Sequence, residues 1–589
     1  MPRRSDIAAD GTPFGSAAAV FAIALVPYAT IRLPFRTALW TQGIVIAAVV
    51  TVLLIAGARS VARTWLTTPP AYRWGLGLYA SAALWGAVVG LASGNPAHNV
   101  LAQLAAMLML PAAFLAFAAR RGIAAEELVG GLAVAAAAAL AIHVLAFIGV
   151  DGLQPPPGEP VRLYLRNDVS LGGVAVLGVL VAAAWWRNQR RWRPGMATAL
   201  LGVFAVGGMS RGAWFAVGAG LVAWAIISGL VPLRLAVRLL LVALAVLGAV
   251  EAAGRWIGAR SLRPVEIGLP TVDAPSLPPP PGGGRVLLVA DADAGRRQAP
   301  LVRGVPFRGR AVEVDLWLMG GEDTAAIMTV TGERRGAVTR ARFRVEGCDD
   351  AWVPLQVVQF LPAGTRLVDV DIRTDRGRWL ATSPQVHVLD TAIAAWLRAL
   401  RLRLAATVTA LAAPAADRTL RYRWREWQAI RARWGEAGPA RLAVGQGLGA
   451  TFNFRNGSFD EQGRRVMLPI ASYIHDYYVF LAFKLGLAGL AALAGIGLLV
   501  GWTLVRAVQQ RAVSNADWLA PAAAAVWLAY LVWGLTSPEI LDFRVAPVLG
   551  ALLAATLRHQ SGNPAAPALS RPDGGVAGSA DNAPCRGEV

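Results

Sequence analysis

Lysine is nearly missing from this sequence: Lys484 is the only one among 56 basic residues, and arginine supplies the rest. Cysteine occurs twice, at Cys348 and Cys585, which excludes a disulfide framework and a cysteine-based metal site. Histidine occurs five times, so very few side chains have an ordinary proton affinity near neutral pH. Acidic residues number 36 and leave a net charge of +20. In a soluble domain that excess would suggest nucleic acid. Here the arginines bunch in short stretches between apolar runs, which is how bilayer topology is written, so no nucleic-acid partner is expected. No internal repeat is visible beyond the recurrence of those runs.

What is abundant is apolar surface. Hydrophobic residues make up 56% of the 589, Trp occurs 21 times, and the mean hydropathy is +0.50, values that soluble proteins of this size rarely reach. Crossing a hydrocarbon core of about 30 Å takes roughly 20 helical residues. Runs of that order fall near 17–31, 40–58, 73–92, 99–119, 124–149, 169–187, 195–208, 211–229, 234–253, 484–507, 517–536 and 541–558. The expected fold is therefore an all-α polytopic membrane protein with about twelve spans. The first run is no cleaved signal peptide, because no small-residue cleavage site follows it. With the N-terminus inside, the cytoplasmic loops collect most of the arginines, including the cluster "RNQRRWR" at 187–193. Arg32, Arg36, Arg162, Arg166, Arg211 and Arg544 fall outside and need another reason.

One outer segment is too long to be a connection. Residues 254–283 read as a Pro/Gly-rich linker, and 284–390 carry period-2 runs such as "RAVEVDLWLMG" and "RLVDVDIRT", the pattern of a small periplasmic β-sandwich. Residues 391–471 hold two helical stretches. The second, "RTLRYRWREWQAIRARW", is amphipathic and suits the lipid headgroup level. Residues 1–253 form the first transmembrane bundle, 472–559 the last spans, and 560–589 a Gly/Pro/Ala-rich cytoplasmic tail read as disordered.

Polar residues at the outer boundary are the candidate site. Arg166, Asn167 and Asp168 stand at the outer end of the sixth run, Ser210-Arg211-Gly212 in a tight turn, and His475-Asp476 at the approach to the tenth. Guanidinium forks suit a pyrophosphate, and an imidazole suits proton abstraction from a sugar hydroxyl. Each residue also has a plainer use. An outer arginine can snorkel to lipid phosphate, and a lone histidine at a helix start can be a cap. His98 lies in an outer loop, while His143 falls inside a span and His387 in the β-region, none of them well placed for catalysis. "GQGLGATF" (445–452) has no strand before it and reads as a turn rather than a phosphate loop.

The stretches "YLRNDVSLGG", "MSRGAWFAVGAG", "GQGLG" and "HDYYVFLAFKLGLAGL" together resemble the O-antigen ligase and Wzy-type polymerase-like membrane glycosyltransferases, over roughly 160–255 and 420–505. The resemblance implies that Arg166 and Arg211 contact the undecaprenyl pyrophosphate of a donor glycan and that His475 acts at the acceptor, with Arg211 and His475 as the catalytic pair. Asn167, Asp168, Ser210 and Asp476 would support them. Members of that family commonly have Asn where this chain has Asp476. The inserted β-region is outside the family's usual core and looks similar to a carbohydrate-binding module.

The function so implied is inverting glycosyl transfer at the periplasmic face of the bacterial inner membrane, without a cofactor or a metal. No Asp-x-Asp motif lies near the site, "DVD" and "DAD" both falling in the β-region. Acceptors consistent with it are lipid A-core for a ligase, another repeat unit for a polymerase, or a protein hydroxyl for an oligosaccharyltransferase. A transporter or flippase is the competing class, disfavoured because no ionisable chain runs inside the spans. A membrane-anchored glycan sensor would need the β-region alone.

Overall fold

A computed structural model of the chain describes residues 15–29, 35–119, 123–147, 169–208, 210–229, 259–262, 271–272, 285–292, 295, 297–321, 324–334, 337–346, 352–361, 364–374, 377–382, 384–412, 417–459, 465–470, 474–513 and 518–561. The apolar runs become helices Ser16–Ala29 (α1), Phe35–Ala56 (α2), Ala58–Thr67 (α3), Pro70–Ala92 (α4), Ala97–Ala119 (α5), Ala125–Phe147 (α6), Val169–Gln189 (α7), Trp192–Gly207 (α8) and Arg211–Ile227 (α9). Four described helical segments are long and apolar enough to cross a membrane: Pro70–Ala92, Ala97–Ala119, Ala125–Leu145 and Leu487–Gln509. A fifth follows if Trp40–Ala56 and Ala58–Thr67, bent by 84°, count as one span.

The expectation of twelve spans is thus not supported. The runs at 17–31, 211–229, 517–536 and 541–558 form apolar helices of 10–17 residues, and the runs at 169–187 and 195–208 form α7 and α8, which are not among the candidates. The run at 234–253 lies outside the described residues. Hydropathy counts apolar residues that flank a helix as though they belonged to it. The run beginning at Leu541 contains Asp542 and Arg544, and its helix starts only at Val545. At 1.5 Å per residue a helix of 16 or 17 residues rises about 25 Å, short of the hydrocarbon core.

The helices pack through small residues that let backbones approach. A Cβ at Gly75 of α4 would come 2.8 Å from the carbonyl of Gly495, and one at Gly550 2.7 Å from the amide of Phe114. The continuous core they enclose includes Tyr72, Phe114, Phe117, Phe204, Trp527 and Tyr530.

A separate β-rich region lies between α9 and the later helices. Sheet one runs in the order Ala259–Leu262 (β1), Gln385–Leu389 (β10), Ala311–Gly320 (β4), Arg378–Thr382 (β9) and Val286–Asp291 (β2), with Val353–Phe360 (β7) also on β4. Sheet two runs Gln298–Pro306 (β3), Leu367–Thr374 (β8), Ala325–Arg334 (β5) and Ala337–Glu346 (β6). Alternate residues of the two sheets, among them Val314, Met328, Val370 and the fully buried Trp379, share one core. The stretch read as linker therefore contributes structure, since β1 pairs antiparallel with β10.

Helix Ala392–Ala412 (α10) covers the outer face of sheet one. Ala394 and Ala395 pack on Ala311, Val358 and Leu389, and Arg398 Nε meets the buried Glu313 at 2.8 Å. Helices Arg418–Gly435 (α11) and Gly438–Val444 (α12) follow, then a hairpin of Phe452–Phe459 (β11) and Arg465–Ile470 (β12) that periodicity did not reveal. Helices Tyr477–Leu485 (α13), Leu487–Val513 (α14), Leu519–Gly534 (α15) and Val545–Ser561 (α16) complete the described chain. The run expected at 484–507 is divided by Gly486, whose φ of 57° ends α13 before α14 begins.

The "GQGLG" turn is locked to α4 and α13. Gln446 N–H donates to Phe483 O and Gly447 N–H to Lys484 O, both at 2.9 Å; Leu448 N–H reaches Gly86 O at 2.8 Å and Gly449 N–H reaches Gln103 Oε1 at 2.8 Å. Those amides are spent on protein acceptors, as a structural turn requires. Gly447 has φ of 80°, and a Cβ there would collide with the backbone of Gly90. Gly447→Ala is therefore expected to cost about 2 kcal/mol or more of stability, from left-handed strain and overpacking together. Gly77→Ala, which faces open space, serves as the control in a thermal melt of the detergent-solubilised protein; equal melting of the two variants would contradict the locked turn.

Candidate functional site

Helix α11 is the ruler on which the site is laid out. Its sequence, "RTLRYRWREWQAIRARWG", contains one carboxylate, Glu426. Tyr422, Glu426 and Ile430 recur at four-residue intervals and so share one face. That face turns inward: Glu426 is 0% exposed and Ile430 1%, while Trp424 and Trp427 are exposed on the other side. The helix thus has one buried and one exposed face, and the buried face carries a charge.

Glu426 is satisfied by one residue. Its Oε1 lies 3.0 Å from His475 Nδ1, and its Oε2 accepts the His475 backbone N–H at 3.1 Å. The imidazole packs edge-on against Tyr422 at 5.1 Å, and Tyr422 against Phe454 of the hairpin at 4.9 Å. His475 keeps 28% of its side chain exposed. A carboxylate on Nδ1 fixes the ring's orientation, which leaves Nε2 as the atom through which the ring would exchange a proton with a substrate.

Asp476 serves the helix that follows. Its Oδ1 caps α13, accepting the N–H of Tyr478 at 2.9 Å and of Val479 at 3.0 Å. Burial raises its carboxyl above the ordinary value, offset in part by those two bonds and by nearby Arg423. Sequence reasoning missed Glu426 altogether. The signal was present, as the lone acid in a helix otherwise rich in arginine.

Arg211 is the first residue of α9, whose N-cap is Ser210; the Ser210 side chain accepts from Ala213 N–H at 3.4 Å. Its guanidinium reaches three partners: Nη1 to Asp417 Oδ2 at 2.7 Å, Nε to Thr407 Oγ1 at 3.0 Å, and Nη2 to Ala406 O at 2.9 Å. Asp417 is also the N-cap of α11, its Oδ1 accepting Leu420 N–H at 3.0 Å. Arg211 thus ties α9 to the end of α10 and the start of α11. Nine residues separate Asp417 from Glu426, about 13 Å along the axis of α11.

A second path joins the two ends. Gly212 lies against Trp533, and a Cβ there would come 3.1 Å from Thr536 Oγ1. Arg423 on α11 donates to the carbonyls of Thr536 and His475. The N-terminal part of α7 reaches the same corner, with Tyr530 Oη donating to Gly173 O at 2.5 Å and Glu539 Oε2 3.4 Å from where a Gly173 Cβ would be. Beyond it the turn Ser537–Arg544 holds Ser537 Oγ on Glu539 at 2.7 Å, and Arg544 on Asp542 at 2.7 Å and Gln42 at 3.0 Å. Arg544, singled out as an outer arginine, is thus a buried structural cation. The structure brings together the elements bearing Ser210, Arg211, His475 and Asp476. Arg166, Asn167 and Asp168 lie outside the described residues.

The remaining histidines are elsewhere. His98 is exposed at the start of α5, His143 is buried with its Nε2 3.3 Å from Tyr28 Oη, His387 sits on β10 opposite Glu313, and His559 lies in the last turn of α16 beside Trp518. Among the described residues no three His, Cys, Asp or Glu side chains group as a metal-binding set. No family model, curated protein or solved structure matches the chain.

Glu426→Gln keeps size but replaces one acceptor oxygen by a donor amide, so His475 loses the partner that fixes its ring. If His475 works as a proton acceptor, the rate it carries is expected to fall roughly 10- to 100-fold, the range for losing a group that orients a functional histidine. Asp476→Asn should stay within about twofold, because Asn caps a helix as well as Asp. The sign for stability agrees: a carboxyl raised in the folded chain is less well tolerated ionised than in the unfolded chain, so a neutral amide leaves stability near neutral pH unchanged or higher. Comparing kcat of the two variants decides the assignment, and equal losses would remove Glu426 from its special position.

Proposed function

We propose that the chain is an integral inner-membrane glycosyltransferase that moves a glycan from undecaprenyl pyrophosphate to an acceptor hydroxyl on the periplasmic side. One observation carries the reading: a partly exposed histidine whose Nδ1 is held by a fully buried carboxylate, on the helix whose cap engages an arginine at a helix N-terminus. In this reading His475 Nε2 takes the proton from the acceptor O–H as that oxygen attacks the anomeric carbon. The bond from that carbon to the pyrophosphate oxygen breaks, and its electron pair leaves with the pyrophosphate. Attack opposite the leaving group inverts the anomeric centre. Arg211 and Arg166 are assigned to the pyrophosphate, whose charge two planar forks can meet. The acceptor class is a sugar or protein hydroxyl, and the placement of the β-region on the outer side belongs to the same proposal.

The test is transfer from a lipid-linked donor in proteoliposomes. His475→Ala is expected to cut kcat by roughly 10² to 10⁴ while leaving donor binding in place. Normal transfer per folded molecule would overturn the assignment.

Arg211 allows a sharper experiment. To take up a pyrophosphate it has to exchange Asp417, so Asp417 competes with the donor. Asp417→Asn keeps the α11 cap but removes the competing charge, and the donor KM should fall roughly threefold to tenfold, a range equivalent to about 1 kcal/mol of coupling. If Arg211 is only a clamp, the same variant loses stability and leaves donor KM unchanged.

A further inference from the structure

The β-sandwich has one covered face and one open one. Sheet one lies under α10, whereas sheet two turns alternate residues of β5, β6 and β8 away from the core. The register across these strands repeats. Thr329 pairs with Arg342 on one side and Asp371 on the other, and Thr331 pairs with Arg340 and Asp369. Two parallel rows of Arg, Thr and Asp result, about 6.8 Å apart along the strands and about 4.8 Å from one column to the next. Met328, Val330, Ala341, Val370 and Ile372 alternate with them and are buried, so these six residues share the outer face. The next register position, Ile327 between Arg344 and Arg373, ends the pattern.

The three columns differ in kind. Arg340 and Arg342 are exposed on the edge strand, and no carboxylate among the described residues pairs with either. Asp369 is held by the Gly304 N–H at 2.6 Å, and Asp371 by Gln298. The threonines between them are half-buried. No aromatic ring stands in either row, so this face lacks the stacking platform that neutral sugars favour.

We propose that this face binds an acidic glycan lengthwise along β6, with Arg340 and Arg342 on successive carboxylate or phosphate groups and the Thr and Asp columns on sugar hydroxyls. Guanidinium forks match such anions, and ionised carboxylates accept from hydroxyls. The spacing of the two arginines suits charges repeated along one chain. An anionic bilayer is the poorer partner, because a flat sheet of phosphates would lie on Asp369 and Asp371 as well as on the arginines, whereas a single chain along β6 keeps its anions on the arginine column, about 10 Å away, and turns hydroxyls to the aspartates. The inference does not depend on the transfer chemistry, since it concerns binding alone.

The experiment uses the whole protein in nanodiscs of zwitterionic lipid and measures calorimetric binding of a hexauronate, with maltohexaose as the neutral chain. Wild type should bind the hexauronate with an affinity that falls as salt rises, and bind maltohexaose at least about tenfold more weakly. Arg340→Ala and Arg342→Ala should each weaken hexauronate binding roughly tenfold, the loss of one charge-assisted contact, and Thr329→Val should weaken it less. Arg285→Ala, just before β2 of the other sheet, should change nothing. Unchanged melting of each variant keeps the comparison free of folding effects, and Arg342→Glu supplies a charge reversal at an exposed position. Equal binding of the neutral chain, no binding by wild type, or full retention in Arg340→Ala would each overturn the proposal. So would phosphatidylglycerol vesicles that bind through the two arginines while the hexauronate does not.

Discussion

A carboxylate with no exposed surface has to be repaid in hydrogen bonds, and Glu426 sets that requirement for the structure around it. Leaving such a group without partners costs several kcal/mol even after local relaxation. Both oxygens are engaged by His475, one through the ring and one through the backbone. The two segments are 49 residues apart in sequence, so satisfying the carboxylate fixes how the chain after the hairpin meets α11. Tyr422 and Phe454 close the side of the ring, and Arg423 ties the His475 carbonyl to the end of α15. Specificity of this kind fits one residue of the right donor geometry. A hydrophobic replacement of the pair would fill the volume and lose the orientation.

The cap of the same helix is a second carboxylate, whose partner lies among the apolar helices. Asp417 joins Arg211 of α9, and Thr407 and Ala406 at the end of α10 complete the guanidinium's set. Helix α10 begins under the β-sandwich, where Arg398 meets Glu313. Arg398 to Ala406 is eight residues, about 12 Å of helix. One rigid element therefore runs from the sandwich to Arg211, and removing the sandwich would free the end of α10 on which Arg211 leans. The β-region is mechanically part of the site without contributing a side chain to it.

Much of this arrangement was legible in the sequence, and the illegible parts share a cause. Period-2 alternation gave the β-region, because strands such as β5 and β8 bury alternate residues. The Ser-Arg-Gly and His-Asp stretches stood out because charge beside an apolar helix needs a reason. The partners of those residues did not stand out. Glu426 and Asp417 sit in or beside an arginine-rich helix, where an acid reads as a surface ion pair until the fold buries it. The hairpin β11–β12 and the strand β1 were read as loop and linker, since Pro and Gly nearby mask short pairing runs whose partners are distant. Span number was overcounted for the opposite reason, with apolar flanks merging into helices that stop early.

That early stopping bears on where the polar groups lie. Helix α9 starts at Arg211, α15 ends at Gly534 and α16 starts at Val545. All three meet at the Trp533–Arg544 corner, through Gly212 against Trp533 and Thr536 and through Val545 on Asp542. Each is 16 or 17 residues long, about 5 Å less than the hydrocarbon core. A bundle accommodates such helices only if the bilayer thins or polar groups at their ends sink toward it. Here the ends carry buried charges already matched inside the protein: Arg544 on Asp542 and Gln42, Arg211 on Asp417. Pairing of this kind inside the protein is what a charged corner requires if it is to lie at that depth, since lipid offers no partner.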